Sequence, residues 1–597
     1  MNTYRSLSQQ EQSQLAAQGN LAQDWNRILI TDATDLSRIQ RSYFYGEVRI
    51  GAVAQGKAFP EEGIVDCVVV DSTIGDHCRL FGVRLLQHYR IGNNVLLFNV
   101  GEMLAGGEIK PLEVMNENGG RAILPFPGMT TGQAYLWARY RGRRRLQERL
   151  VQFAKSQTEN PLGYIGDGAE IRNTKAIRNV YVDSALDNPA RIADVQLLEN
   201  GVMEPGCVVE SGVIAERFVL GEHVHLEMGL RLNDTVVGAN STLARCEVGN
   251  SIIFPSHEQH HNNSFLIASL IMGQSNLAAG ATIGSNHNGR TADNELVAGR
   301  GFWPGLCSSL KHSSMFASYS LLAKADYPYE LNITLPFSLV NNNVAKNQLE
   351  VMPAYWWLYN MYSLNRNNTK FAKRDKRVLK TQHIEFDILA PDTVEEILIA
   401  RALIREWTSE AYLKSRNEGT QKPVVLAHGM EHSKRPVVVL KAAEGYKAYE
   451  QMLVHYAVSV LSKAYDGALP PENLGEGERI RKWVNIGGQI VSQPDMERLI
   501  ADVENGSLSS WEEIRRRMDD LWESYPQQKQ QHAYKVLCFL AESKTLTGDL
   551  WQKFLYQESQ ISTYIQQQIV ATRHKDEVNP FRQMTYWDQD ECEAVLG

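Results

Sequence analysis

Residues 201–232 read GVMEPGCVVESGVIAERFVLGEHVHLEMGLRL, and in them Val202, Val208, Ile214, Leu220, Leu226 and Leu232 recur at a constant spacing of six. An amphipathic helix repeats every 3.6 residues and a half-buried strand every two, so neither produces this spacing alone. A short strand followed by a corner does, when three such units make one coil and successive coils stack. The series extends in both directions. Ile165, Ile171 and Ile177 precede it, then, after a slip, Leu186, Ile192 and Leu198; Phe265, Ile271, Leu277 and Ile283 follow it. An upstream block gives Val68, Ile74 and Leu80, then Leu85, Ile91 and Leu97. Glycine follows the aliphatic residue at Gly75, Gly92, Gly166, Gly221, Gly238, Gly249 and Gly284, which predicts glycine at the tight corners, where a residue free of Cβ turns most easily. Small residues four positions after several aliphatics (Ala169, Gly206, Gly212, Ser241, Ser269, Ser275, Ala281) suit a narrow triangular interior. Burying each aliphatic is worth about 1.5–3 kcal/mol, so these residues carry shape rather than chemistry.

The chain around this repeat has 597 residues, enough for several folding units at about 100–200 residues each. Hydrophobic residues make up 43% and charged residues 22%, a folded rather than a disordered composition. A net charge of −8, from 61 basic and 69 acidic residues, exerts no global pull on nucleic acid or an anionic membrane, so any anion site must be local. Seven scattered cysteines without a C-x-x-C pair argue against a disulfide framework and for a reducing compartment. The polar start MNTYRSLSQQEQSQ and the absence of some 20 consecutive apolar residues lead to the expectation of a cytoplasmic protein that does not insert into membranes.

The organisation expected is an N-terminal cap over 1–60, first coils over 61–100, an insertion over 101–158, the main β-helix over 159–330, an aromatic-rich connector over 331–390 and a helical domain over 391–597. Ser8 and Glu11 have capping-box spacing for a short first helix. The insertion carries a basic helix with Arg139, Arg141, Arg143, Arg144, Arg145 and Arg149, read first as a solvated face or contact surface and alternatively as a phosphate clamp. Further helices are expected from Asp392, over 441–465 and over 511–523, with Gln527–Gln531 as a linker. Trp303, Tyr355, Trp356, Trp357, Tyr359 and Tyr362 are expected to pack the helical part onto the β-helix.

The hexads and glycines resemble those of the hexapeptide-repeat, left-handed β-helix superfamily. GFWPGLCSSLKHSSMFASYSLLAKADYPYELNITLPFSLV and VMPAYWWLYNMY look like a family of long bacterial hexapeptide-repeat proteins of unassigned function within it. The resemblance implies a left-handed parallel β-helix and a homotrimer; together with the inserted basic helix and the C-terminal α-helical domain read from the residues, the fold expected is mainly β. It also implies acyl transfer to a sugar phosphate or nucleotide sugar, with acyl-CoA or acyl carrier protein as donor and a coil histidine as general base.

Polar breaks in the repeat are where such chemistry would sit. They are 254–264, containing His257-Glu258-Gln259-His260-His261, then Ser285-Asn286-His287-Asn288-Gly289-Arg290, and Ser308-Ser309-Leu310-Lys311-His312. His287 and His261 are the candidate bases. Asn263, Asn286, Asn288, Arg290, Arg300, Trp303, Lys311 and His312 are candidate substrate contacts, the cations for phosphate and the amides for a sugar. His257-Glu258-x-x-His261 spells the zinc-protease motif, but Pro255 before it and Asn262-Asn263 after it do not permit the sustained helix that motif needs. A divalent metal on His257, His260 and His261, as in gamma-class carbonic anhydrases, is one alternative. A non-catalytic scaffold that binds a protein partner is another. No phosphate-loop or dinucleotide glycine motif is present, which removes kinase and Rossmann oxidoreductase readings.

Overall fold

The computed structural model describes residues 3–54, 59–107, 109–116, 119–157, 163–284, 294–418 and 423–596. Most of the first 343 residues form a parallel β-solenoid. Parallel pairing starts at Leu21–Ala22 against Tyr43–Phe44, well before residue 61, and continues through Leu322 on Val340. One interior row runs Leu198, Ala215, Leu232, Val248, Leu266, so successive coils take 17, 17, 16 and 18 residues (198 to 215 to 232 to 248 to 266).

That coil length corrects the phase of the hexads. Seventeen residues cannot be three sides of six, so a strict six-residue count drifts by one position per coil. A one-residue slip in a strand exchanges its faces. The interior residues are Met203, Val209, Ala215 and Leu220, whereas Val208 and Ile214 lie half-buried on the outside and Leu186 is exposed.

The corners are also built differently from the expectation. Ser211, Arg217 and His223, then Met228, Asp234 and Asn240, then Arg245, Asn250 and Ser256 all have positive φ, giving three left-handed corners per coil. Gly75, Gly92, Gly166 and Gly238 do not adopt that conformation. A Cβ at Gly75 would lie 2.4 Å from the Gly92 carbonyl oxygen of the next coil, and one at Gly238 would lie 2.4 Å from the Pro255 nitrogen. These glycines therefore allow the coils to stack closely, while Asn and Asp, whose short polar side chains tolerate left-handed backbone, serve several of the bends.

Val202, Val219, Val236, Ile252 and Leu270 stack in register on the outside of one face. Such a stripe would be costly in water, and the insertion covers it. Its hairpin (Leu112–Glu113 with Ala122–Ile123) and its Thr131–Arg139 and Arg144–Gln157 helices bury Leu112, Ile123, Phe126, Leu136 and Trp137 against the stripe. Trp511 from the C-terminal part stacks on Phe126 with centroids 5.1 Å apart, so the insertion is clasped between solenoid and helices. Arg143 bonds Glu504 and Glu497 of the Gln493–Asn505 helix, and Arg141 donates to the Gly120 carbonyl.

At the other end, Leu339–Asn343 turns back antiparallel into Gln348–Met352, which pairs with Val437–Val439. The helical part comprises Pro391–Glu418, Ala442–Tyr465, Gln493–Asn505, Trp511–Leu540 and Gly548–Glu577, with a Trp483–Ile486/Gln489–Ser492 hairpin. Gln527–Gln531 is no linker: it lies within the Trp511–Leu540 helix, which continues through Pro526. Tyr525, Lys529 and His532 bury one side of that helix, and the neighbouring glutamines cover the other. Trp356 donates its indole N–H to the Tyr319 carbonyl at 2.8 Å and packs on Trp303, tying this layer to the solenoid. Among the described residues no helix is long and apolar enough to cross a membrane.

Candidate functional site

The sequence candidates separate into three groups. Asn286, His287, Asn288 and Arg290 lie outside the described residues. A second group is spent on structure. Arg300, 1% exposed, grips both oxygens of Asp392 (3.0 and 2.8 Å) and donates to the carbonyls of Glu385 and Asp387. It clamps the helical part to the solenoid. Lys311 pairs with Glu330 at 2.5 Å, and His312 donates from Nε2 to the Ile267 carbonyl at 2.9 Å. His257 is fully buried in the coil, with Nδ1 2.8 Å from Ser275 Oγ and Nε2 3.2 Å from Gln259 Oε1. Burial pushes its pKa down to about 4, so it is neutral at physiological pH.

The third group forms a site. On the outside of a second solenoid face His225, Thr242 and Glu258 occupy one register row, and Glu258 bridges to Asn276 in the next coil. His260 stands beside the row with Nδ1 3.4 Å from Glu258, and its ring lies 4.4 Å from that of His261. His261 and Asn263 are exposed. The Met361–Lys373 helix packs beside the row: Lys370 comes within 3.5 Å and Arg374, just past the helix, within 3.6 Å of Glu258. Burial, opposed by Glu258, lowers the Lys370 pKa. Lys376 follows, and after burial its charge is the next cause holding His225 below the ordinary imidazole value.

The strap after that helix is fastened to the coil corners. Asn240 donates to Asp375 at 2.8 Å, and Glu222 accepts the backbone N–H groups of Val378, Leu379 and Lys380 at 3.0 Å each. The resulting corner gathers the cations Lys370, Arg374 and Lys376, the half-buried His225 and His260, the exposed His261 and the Glu258 carboxylate, with Asp375 and Glu222 committed to fastening the strap. Nothing in the spacing of Lys370, Arg374 and Lys376 announces a site, since they lie more than 100 residues from Glu258; only an i, i+4 pair of cations at a helix end hints at it. Among the described residues no group of three or more His, Cys, Asp or Glu side chains is placed to hold a metal ion. His257 lies inside the coil and His260 and His261 outside it, so the three do not converge as one ligand set.

A second constellation escaped sequence reasoning altogether. Lys529 bonds Glu385 and Asp387 at 2.7 and 2.8 Å, Tyr525 donates to Glu385 at 2.6 Å, and His532 bridges Tyr456 and Glu395 at 3.0 and 2.9 Å. Glu396, beside Asp392 and bonded by the Ser318 N–H at 3.0 Å, is pushed up to about 7 by burial.

Fold and site define a parallel β-solenoid protein with an embedded insertion, a C-terminal helical layer and a cationic corner between them. Residues 4–408 match the family model described as a domain of unknown function (DUF4954), and the chain belongs to that family; residues 468–549 match a second domain of unknown function (DUF6819). The chain is 39% identical, over an alignment of 657 residues covering 100% of it and 90% of the relative, to an uncharacterized protein of Treponema pallidum (strain Nichols).

Proposed function

We propose that this protein is a transferase whose cationic corner binds a phosphorylated sugar-type substrate, with acyl-CoA or acyl carrier protein as donor and His261 as general base. The observation that supports it is the approach of Lys370 and Arg374 to Glu258 and of Lys376 to His225, on the row of His225, Thr242, Glu258 and Asn276, with His260 and the exposed His261 beside it. Cations held on a fixed frame suit a phosphate dianion. Glu258 orients His260, and the His261 ring nitrogens carry no hydrogen bond among the described residues. An imidazole is the side chain most often used to take a hydroxyl proton in such a step. His261 takes that proton, the sugar oxygen bonds the thioester carbon, the carbon–sulfur bond breaks and the proton passes to the departing thiolate. A homotrimer of this chain in the cytoplasm belongs to the same proposal.

The test is a thermal-shift series with glucose 1-phosphate, UDP-N-acetylglucosamine and acetyl-CoA. A ligand that binds only the folded state raises the melting temperature. The expected result is a rise with a phosphorylated sugar that is lost in Lys370→Met/Arg374→Met. No rise with any of the three removes the transferase reading in favour of a scaffold that binds a protein partner.

A further inference from the structure

A cleft of about 280 Å³ opens in the helical part, and none of the residues lining it is assigned above to catalysis or phosphate binding. Two helices present matched stripes to it. Met361, Leu364, Asn365 and Asn368 line it from the Met361–Lys373 helix, and Tyr456, Ser459, Val460 and Lys463 from the Ala442–Tyr465 helix, both at i, i+3, i+4, i+7. Such stripes ordinarily meet each other in a helix–helix contact. Here they stand apart, with Trp357, Ile388, Leu389 and Ile565 completing apolar walls. A cleft of this size accepts a small organic molecule.

The polar groups select the ligand. Asp387 on the rim is already held by Lys529, and His455 is bonded to Glu558 at 2.9 Å. Asn368 uses its carbonyl oxygen to accept the Ile388 N–H at 3.1 Å, leaving its amide N–H groups unused. Among the described residues the Asn365 amide and the Ser459 hydroxyl have no hydrogen-bond partner, and Lys463 at the mouth has no ion-pair partner. The Asn365 amide and the Ser459 hydroxyl can accept as well as donate, and Asp387 Oδ1 can accept, so what distinguishes the lining is one ammonium, Lys463, set beside an apolar slot. Lys463 lies seven residues from Tyr456, about 10 Å along the helix, so charge and apolar floor are separated along one axis.

We propose that this cleft is a second binding site, for a small amphipathic acid: an acyl or aryl body in the apolar slot and one carboxylate on Lys463. The assignment does not depend on the transferase reading, because the cleft shares no residue with the cationic corner.

Calorimetric titration of the full chain with hexanoate and phenylacetate tests it, with hexanamide as the uncharged counterpart and glucose 1-phosphate as an anion without an apolar body. Hexanoate or phenylacetate should bind at one site per chain, at least tenfold more tightly than hexanamide. Lys463→Met, which keeps the apolar stem, should reduce the difference to less than threefold, and Val460→Phe should abolish binding by filling the slot. Both variants sit on exposed or half-buried positions, and a melting temperature within a few degrees of wild type verifies that each is folded. Absence of binding by both acids, or binding unchanged in Lys463→Met and Val460→Phe, overturns the proposal. Glucose 1-phosphate binding that is unaffected by these two variants reports on the cationic corner alone.

Discussion

Replacing Arg300 by methionine separates a structural clamp from a phosphate ligand. The guanidinium is 1% exposed and makes four hydrogen bonds, two to Asp392 and one each to the carbonyls of Glu385 and Asp387. Arg300→Met leaves the Asp392 carboxylate beside the half-buried Glu396 with its cation gone. Removing one partner of a buried ion pair costs about 3–5 kcal/mol, because the other charge stays buried and uncompensated. The helical part is anchored there, so the loss falls on its docking. At about 2–4 °C per kcal/mol for a unit of 150–250 residues, the first thermal transition should drop by about 6–20 °C. Differential scanning calorimetry reads the drop, and limited proteolysis locates new cleavage in 391–597. Arg300→Met/Asp392→Asn should recover at least half of it, since the stranded charge is removed. A first transition unchanged in Arg300→Met, or a double variant that falls as far as the sum of the singles, would refute the clamp.

Other consequences concern pH and packing. Glu396 is pushed from 4.5 to about 7 by burial, so its protonated form is favoured in the fold; the stability it contributes, about 3 kcal/mol, is full below pH 4.5 and lost as pH rises through 7. Chemical denaturation of Glu396→Gln should therefore lack this part of the decline between pH 5 and 8, and an identical slope in variant and wild type would contradict it. His257 has the opposite sign: lowered from 6.5 to about 4, it contributes about 3 kcal/mol that is full above pH 6.5 and lost as pH falls through 4. His257→Gln should flatten the acid limb of the same curve. Ile252 lies fully buried in the outer stripe beneath the insertion, and Ile252→Ala should cost about 2–5 kcal/mol while leaving the far-ultraviolet circular dichroism of the folded protein unchanged.

Much of the solenoid could be read from the aliphatic spacing, because each coil must bury a residue at nearly the same angle as the coil before. Its phase could not, since a 17-residue coil and a six-residue count differ by one position and the sequence alone does not show which side is short. Val208 and Ile214 are therefore misread as interior while Val209 and Ala215 occupy it. Glycine is the residue freest to bend, so the sequence points to glycine corners; here Arg217, His223 and Asn240 take the bend, and Gly75 and Gly238 answer to the backbone of the next coil. Of the site, His260, His261 and Asn263 could be seen as a polar break in an aliphatic series. Lys370 and Arg374 could not, because a strap fastened by Glu222 and Asn240 brings them across from a distant segment. Arg300 looked like a phosphate ligand for want of its partner: Asp392 stands 92 residues away, at the start of a helix.

The central claim, that the cationic corner carries out acyl transfer, is tested most directly by thiol release from acetyl-CoA in the presence of a panel of sugar phosphates, measured for wild type, His261→Ala and Arg300→Met. Wild type should release thiol only in the presence of the sugar phosphate, folded His261→Ala at least a hundredfold more slowly, and Arg300→Met should retain release at a temperature where it remains docked. Undiminished release by His261→Ala, or none from wild type with any sugar phosphate, would contradict it.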